Sequence, residues 1–199
     1  MHEVNSPTFW QDIYIAGDTR WDLGGPTPVF VHLQQSKNFA PGPMLVPGCG
    51  RGYDAVWFAQ QGFDVTAVDF AGSAVRDTRA NAERAGVKLN IVQDDLFALD
   101  AKFPDTFQYV LEYTCYCAIA PDRRAEYAEV IRTVLKPGGL LIAIFFPMDG
   151  RDGGPPFAVT EEEIDALFSP HFERVLSEAP ELSVSPRAGK ETLMIWRKM

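Results

Sequence analysis

The 199 residues are enough for one domain with a full core, and a formal net charge of −9 repels phosphate backbones, which argues against nucleic acid as a partner. Apolar runs of five to seven residues, cut by Gly, Pro or charge, are too short for a membrane span, and the start MHEVNSPTFW lacks the basic and apolar stretches of a secretory signal, so a cytoplasmic location is expected. Three cysteines, two of them (Cys115 and Cys117) one residue apart, fit neither a disulfide framework nor a C-x-x-C metal pair.

In chain order, residues 1–40 are expected to form a helical lid ahead of a core at 41–199, the two making one domain. Trp10 and Tyr14 share a helix face at i, i+4, with Trp21 following. Such a face either packs on the core or covers a cationic ligand with aromatic rings. A first strand at 44–48 ends in a glycine turn, and a helix at 54–61 stops at Gly62. A second strand at 64–70 precedes a helix at 73–85 that ends at Gly86. Strands follow at 88–95 and 107–114, then a helix from Pro121 to just before Lys136-Pro137-Gly138-Gly139. The continuous apolar run at 140–147 reads as a central strand buried on both faces. Thr160 and Glu163 form a capping box for a helix up to Phe168. Strand-like runs at 172–179 and 191–196 are joined by a connection too short for a crossover helix, so they should pair antiparallel. The alternation predicts an α/β, Rossmann-like fold: a seven-stranded, mainly parallel sheet with one antiparallel edge strand and helices on both faces.

The glycine-rich turn Gly48-Cys49-Gly50-Arg51-Gly52 lets a ligand approach the backbone without Cβ clashes. Its G-x-G-x-G spacing differs from the G-x-G-x-x-G that seats a pyrophosphate, and suits a nucleoside ligand without phosphate such as S-adenosylmethionine. Asp69, about twenty residues on, ends the second strand where a carboxylate accepts ribose hydroxyls. Asp94 and Asp95 end the third strand; Asp95, with the backbone of Leu96, is favoured for the adenine amino group. Tyr113 follows the fourth strand as a cofactor-lining residue, with Tyr116 and Cys117 on the acceptor side. Cys115 and Cys117 read equally as small buried residues.

Four stretches carry a resemblance in common order: Trp21-Asp22-Leu23-Gly24 with Pro26-Thr27-Pro28, then LVPGCGRGYD, then EYTCYCAI, then GGPPF at 153–157. They resemble the motifs of the thiopurine methyltransferase family, especially its plant-type thiol and halide branch, over nearly the whole chain from Trp10 to Trp196. The resemblance implies a class I methyltransferase fold with S-adenosylmethionine as cofactor. It also implies cofactor contacts at Trp10, Tyr14, Trp21, Gly48, Asp69, Asp95, Leu96 and Tyr113, with Gly50 in the same loop. Tyr14 stands where relatives usually carry Trp. The thiopurine enzymes have an arginine in the segment matching EYTCYCAI, and its absence here points away from a large aromatic thiol.

The expected chemistry is in-line methyl transfer to a small soft nucleophile: hydrosulfide, thiocyanate, iodide or a small thiol. A dry pocket favours it by desolvation and alignment without a strong base. Tyr116, Phe145, Phe146 and Phe157 are the expected lining. Glu112, or the Tyr113 hydroxyl, is the candidate proton acceptor for a neutral thiol, whereas His2, His32 and His171 lie far from the motifs. No metal and no membrane partner are expected, and a monomer is plausible. Alternatives are a thiopurine methyltransferase, an NAD-linked dehydrogenase, which the glycine spacing disfavours, and a non-catalytic sensor of the same cofactor.

Overall fold

In the computed structural model, which describes residues 3–199, strands and helices alternate along the chain. The strands are β1 (Pro43–Pro47), β2 (Asp64–Asp69), β3 (Asn90–Gln93), β4 (Phe107–Tyr113), β5 (Leu135–Phe145), β6 (Phe172–Glu178) and β7 (Thr192–Lys198). Their order in the sheet is β3-β2-β1-β4-β5-β7-β6, the mainly parallel, Rossmann-like sheet expected from the sequence. The chain divides into two units, one ending at Leu96 and one spanning residues 97–199.

In the first unit, α1 (Pro7–Ala16) starts at Ser6, whose side chain accepts a hydrogen bond from Thr8 N, and stops at Gly17. Proline opens α2 (Pro28–Lys37) and left-handed Asn38 closes it. β1 pairs parallel with β2, and β2 with β3. Met44, Leu45 and Val46 are all buried, which explains the unbroken apolar run. The crossovers are α3 (Tyr53–Gln60) and α4 (Gly72–Ala85). Ala74, Val75, Thr78 and Ala82 line the buried stripe of α4 at helical spacing. β3 is shorter than the expected 88–95, because ladder pairing begins only at Asn90 and ends at Gln93.

The second unit opens with a short helix, α5 (Leu99–Lys102), that hydrophobic periodicity did not reveal. After β4 comes a 3₁₀ turn (Tyr116–Ala118), then a second (Pro121–Arg123) that leads into α6 (Arg124–Val134). Lys136-Pro137-Gly138-Gly139, expected to separate helix from strand, instead lies within β5. The register there jumps from Phe107↔Leu135 to Tyr109↔Leu140, so these residues bulge out of the ladder. α7 (Glu161–Phe168) has the expected cap, with the Thr160 hydroxyl accepting from Glu163 N. β7 runs antiparallel to both β5 and β6, which places β6 outermost. Phe168 fastens α7 to the sheet among Phe145, Phe172 and Trp196 at ring distances of 5.7–6.2 Å. Among the described residues no helix is long and apolar enough to cross a membrane.

Candidate active site

At the carboxyl end of β1 the chain turns through Gly48, Gly50 and Gly52, all at positive φ. The loop is tied to β2 by Cys49 N donating to Val68 O (2.9 Å), and Gly50 N donates to Asp69 Oδ2 (3.0 Å). The other Asp69 oxygen accepts from Ala71 N (2.9 Å). A carboxylate offers about four acceptor directions, and with the Phe70 amide also directed at it Asp69 keeps only part of its acceptor capacity for a ligand. Burial pushes this carboxyl up to about 6, against the pull of its amide donors.

Three rings cluster in the same unit, and one of them, Tyr14, approaches this loop. Trp21 meets Trp10 edge-on at 5.5 Å and Tyr14 at 5.6 Å, so Trp21 gathers the two rings that share the face of α1. A Cβ on Gly50 would stand 3.2 Å from the Tyr14 hydroxyl, which shows how closely ring and backbone approach. Burial, and then the Asp69 charge, raise the Tyr14 phenol well above its ordinary value. The rings are anchored at several points. Trp10 Nε1 donates to Val4 O (2.8 Å), and Gln11 exchanges hydrogen bonds with Ser73 at the start of α4 (2.6 and 3.0 Å). Arg51, in the glycine loop, pairs with Asp22 at 3.0 Å, and Thr27 donates through N and Oγ1 to Asp54 (2.7 and 2.8 Å). Beyond β3, Asp94 N donates to Asp69 O (3.2 Å), and Asp95 N to Asp94 Oδ1 (3.0 Å). Asp94, Asp95 and Leu96 are all half-buried.

In the second unit, Glu112 near the end of β4 is 1% exposed. Its Oε1 accepts from Cys115 N (3.0 Å) and Tyr116 N (2.8 Å), and its Oε2 from the Tyr127 hydroxyl (2.6 Å). The carboxylate thereby caps the turn after β4, where Thr114 adopts the rare left-handed conformation at φ 62. Burial pushes Glu112 up to about 7. Tyr116 packs against Tyr127 (5.6 Å) and Phe145 (5.3 Å), with the Arg124 guanidinium 4.7 Å from its ring. Burial pushes the Cys117 thiol up to about 12, so it is a protonated packing group at neutral pH. Tyr116 and Phe145, both expected as lining, are each 1% exposed and pack in the core, whereas Phe146 and Phe157 are half-buried. His32 and His171 are exposed, and His2 lies outside the described residues.

Arg187 and Glu191 belong to no motif of the sequence. The Tyr113 hydroxyl donates to Glu191 Oε2 (3.0 Å), and the Arg187 guanidinium lies 4.8 Å from the Tyr113 ring and 5.3 Å from Phe146. Both new residues are buried, at 6% and 4% exposure. A lone Arg in the connection before the last strand is the only local signal, and nothing in its spacing announces burial. So the segment EYTCYCAI contains no arginine of its own, yet the fold brings one onto its Tyr113.

Residues 5–198 match the family model of thiopurine S-methyltransferase. The chain is 38% identical to "Probable thiol methyltransferase 2" of Arabidopsis thaliana, over 98% of this chain and 86% of that one. It is 34% identical to "Thiocyanate methyltransferase 1" of Brassica oleracea, covering 96% and 84% respectively. Among solved structures it is similar to the 1,6-didemethyltoxoflavin-N1-methyltransferase of Burkholderia thailandensis with bound 1,6-didemethyltoxoflavin and S-adenosylhomocysteine. The TM-score is 0.79 at 25% identity, over 97% of this chain and 87% of that one.

Proposed function

The chain belongs to the thiopurine S-methyltransferase family and is an S-adenosylmethionine-dependent methyltransferase, and on that premise we propose that its acceptor is a small soft nucleophile. Thiols, hydrosulfide and thiocyanate head the range, with iodide and other halides beside them. The names of the plant relatives support the thiol and thiocyanate part. The observation that carries the reading is the buried guanidinium of Arg187 beside the Tyr113 ring, a cationic and aromatic setting that suits a soft anion.

The first unit's residues fit the cofactor. Asp69 is proposed to accept from ribose hydroxyls with the capacity its amide donors leave, the Gly48–Gly50 turn to admit a ligand against the backbone, and the clustered rings of Trp10, Tyr14 and Trp21 to face the sulfonium. Asp95 and Leu96 are proposed for the adenine edge, and Tyr113 as a further cofactor contact. The bound cofactor supplies a methyl group on a sulfonium. The protein's own work is alignment and exclusion of water.

An anionic nucleophile loses charge as it attacks a sulfonium, so a cation without a counter-charge beside it would hold back the reaction by stabilising the ground state. Glu191 on the Tyr113 hydroxyl places a negative charge in the same cluster and tempers that effect. Tyr116 is proposed to line the acceptor side. Glu112 first serves the turn, through its three donors. Its carboxyl, held near neutrality, is the proposed proton acceptor when the nucleophile arrives as a neutral thiol. Residues 1–199 are read as one domain with 1–40 as its lid, working as a cytoplasmic monomer.

The test measures S-adenosylhomocysteine formation against hydrosulfide, thiocyanate, iodide, a small aromatic thiol and a thiopurine. Turnover of the small nucleophiles is expected. Turnover of the thiopurine alone would overturn the acceptor class, and cofactor binding without turnover of any acceptor would turn the reading to a sensor.

A further inference from the structure

One buried cation, at the first position of α6, has no part in the chemistry above. We propose that Arg124 is a positioning residue that holds the 147–160 segment and the Tyr116 ring in one arrangement, and thereby sets which acceptors are taken. The inference rests on the reading that the acceptor is received beside the turn after β4.

Arg124 is 2% exposed and starts a helix, where the helix dipole disfavours a cation and burial strips its hydration. What offsets that cost is specific. Nη1 donates to both oxygens of Glu163 (2.9 and 2.7 Å) and to Ala158 O (3.0 Å), and Nη2 donates to Phe157 O (3.3 Å). The guanidinium also lies 4.7 Å from the Tyr116 ring. Apart from Glu163, these partners are the acceptor-side ring and the backbone of the segment that carries GGPPF.

Between β5 and α7 that segment has neither helix nor strand, and residues 149–154 are exposed. It is pinned by Met148 N donating to Lys190 O (2.8 Å), Val159 N to Pro147 O (2.9 Å) and Phe157 N to Cys117 O (2.8 Å). The last of these ties the segment to the turn that bears Tyr116. Arg124 reaches the same place from below with a planar fork, so one side chain joins strap, turn and ring. Lysine keeps the charge and the apolar stem but has no fork and cannot bridge two carbonyls and a carboxylate in that geometry.

The experiment compares wild type with Arg124→Lys and with Glu163→Gln. Glu163 is 28% exposed in its side chain, so the second variant leaves Arg124 in place at less risk to folding. Three readouts are taken: S-adenosylhomocysteine affinity, steady-state kinetics with hydrosulfide and with a small aromatic thiol, and hydrogen exchange along the chain. For Arg124→Lys, S-adenosylhomocysteine affinity should stay within about twofold, and the KM for hydrosulfide should rise roughly tenfold as alignment is lost. The ratio of kcat/KM for the aromatic thiol over hydrosulfide should rise at least about fivefold as the strap loosens. Amides in 147–158 should exchange faster while those of β4 and β5 do not change. Glu163→Gln should move each readout the same way by less.

A uniform fall in S-adenosylhomocysteine binding and turnover that follows thermal stability, with acceptor ranking unchanged, would overturn the proposal. So would unchanged exchange in 147–158. If the wild type turns over no acceptor, the reading of the acceptor fails, and the exchange measurement still decides whether Arg124 holds the strap.

Discussion

Replacing Asp69 by Asn separates cofactor binding from stability. Asp69 is 8% exposed and gives one oxygen to Gly50 N and the other to Ala71 N. Asn offers a single oxygen, so its amide group must face one of these N–H donors. Leaving a buried donor unpaired costs about 1–3 kcal/mol. Against this, the substitution removes a buried charge whose carboxyl stands at about 6 instead of the usual 3.8, a penalty on the order of 3 kcal/mol at neutral pH. The two effects nearly cancel, so thermal stability should change by only a few degrees. Cofactor affinity has no such compensation. Losing charge-assisted hydrogen bonds to ribose costs roughly 1.5–3 kcal/mol, or about 10- to 100-fold in Kd. Titration calorimetry with S-adenosylhomocysteine, beside thermal denaturation at neutral pH, reads both quantities. Wild-type affinity should also weaken below about pH 6 as Asp69 takes a proton, while that of Asp69→Asn stays flat. A Kd within about threefold of wild type, or a loss of affinity explained by unfolding, would refute the role given to Asp69.

Glu112 predicts a pH effect of known sign. Its folded carboxyl, at about 7, binds a proton more firmly than the ordinary value of 4.5 allows in the unfolded chain, so its contribution to stability is fully present below about 4.5 and is lost as pH rises through about 7. Glu112→Gln should flatten the fall of the unfolding free energy, read from urea titrations between about pH 5 and about pH 8, by up to about 3 kcal/mol relative to wild type; Asp54 and Asp69 act equally in both proteins, and identical slopes would sink the idea. Gly52 opens α3 at φ +73, and an added Cβ would lie 2.5 Å from Thr78 Cγ2. Thr78 is held in place by donating to Gly50 O (2.9 Å), so Gly52→Ala should cost about 2–4 kcal/mol and lower Tm by roughly 5–12 °C. A Tm unchanged on calorimetry would show that the loop yields.

Much of the site was legible because its signals are local. Gly48, Gly50 and Gly52 are needed where φ is positive, and Asp69 is placed by the end of a strand that apolar composition marks. The opposite case is Glu112. Its neighbours in the motif suggested a free acid, but Oε2 is taken by Tyr127, fifteen residues on, and Oε1 by two amides of a turn that left-handed Thr114 creates. No spacing rule brings that phenol to that carboxylate. Trp10 and Tyr14 could be assigned to one helix face, but that Trp21 closes on both across an irregular loop could not be read from their spacing.

The sequence by itself determined the alternation of strands and helices, the glycine turn, the antiparallel pairing of the tail and the family resemblance. Periodicity, helix stops and turn residues act over a few positions and can be read there. Tertiary structure decided that Lys136-Pro137-Gly138-Gly139 bulges within β5 instead of ending a helix, because ladder pairing with β4 continues on both sides of it. It also decided where the charges go. Nothing in the sequence marks Arg187 and Arg124 as buried, yet Arg187 is buried against Tyr113 at the end of β4 and Arg124 against Tyr116 in the turn that follows. A buried guanidinium needs ring faces, carbonyls or a carboxylate supplied by segments distant in the chain, and only the folded sheet assembles them.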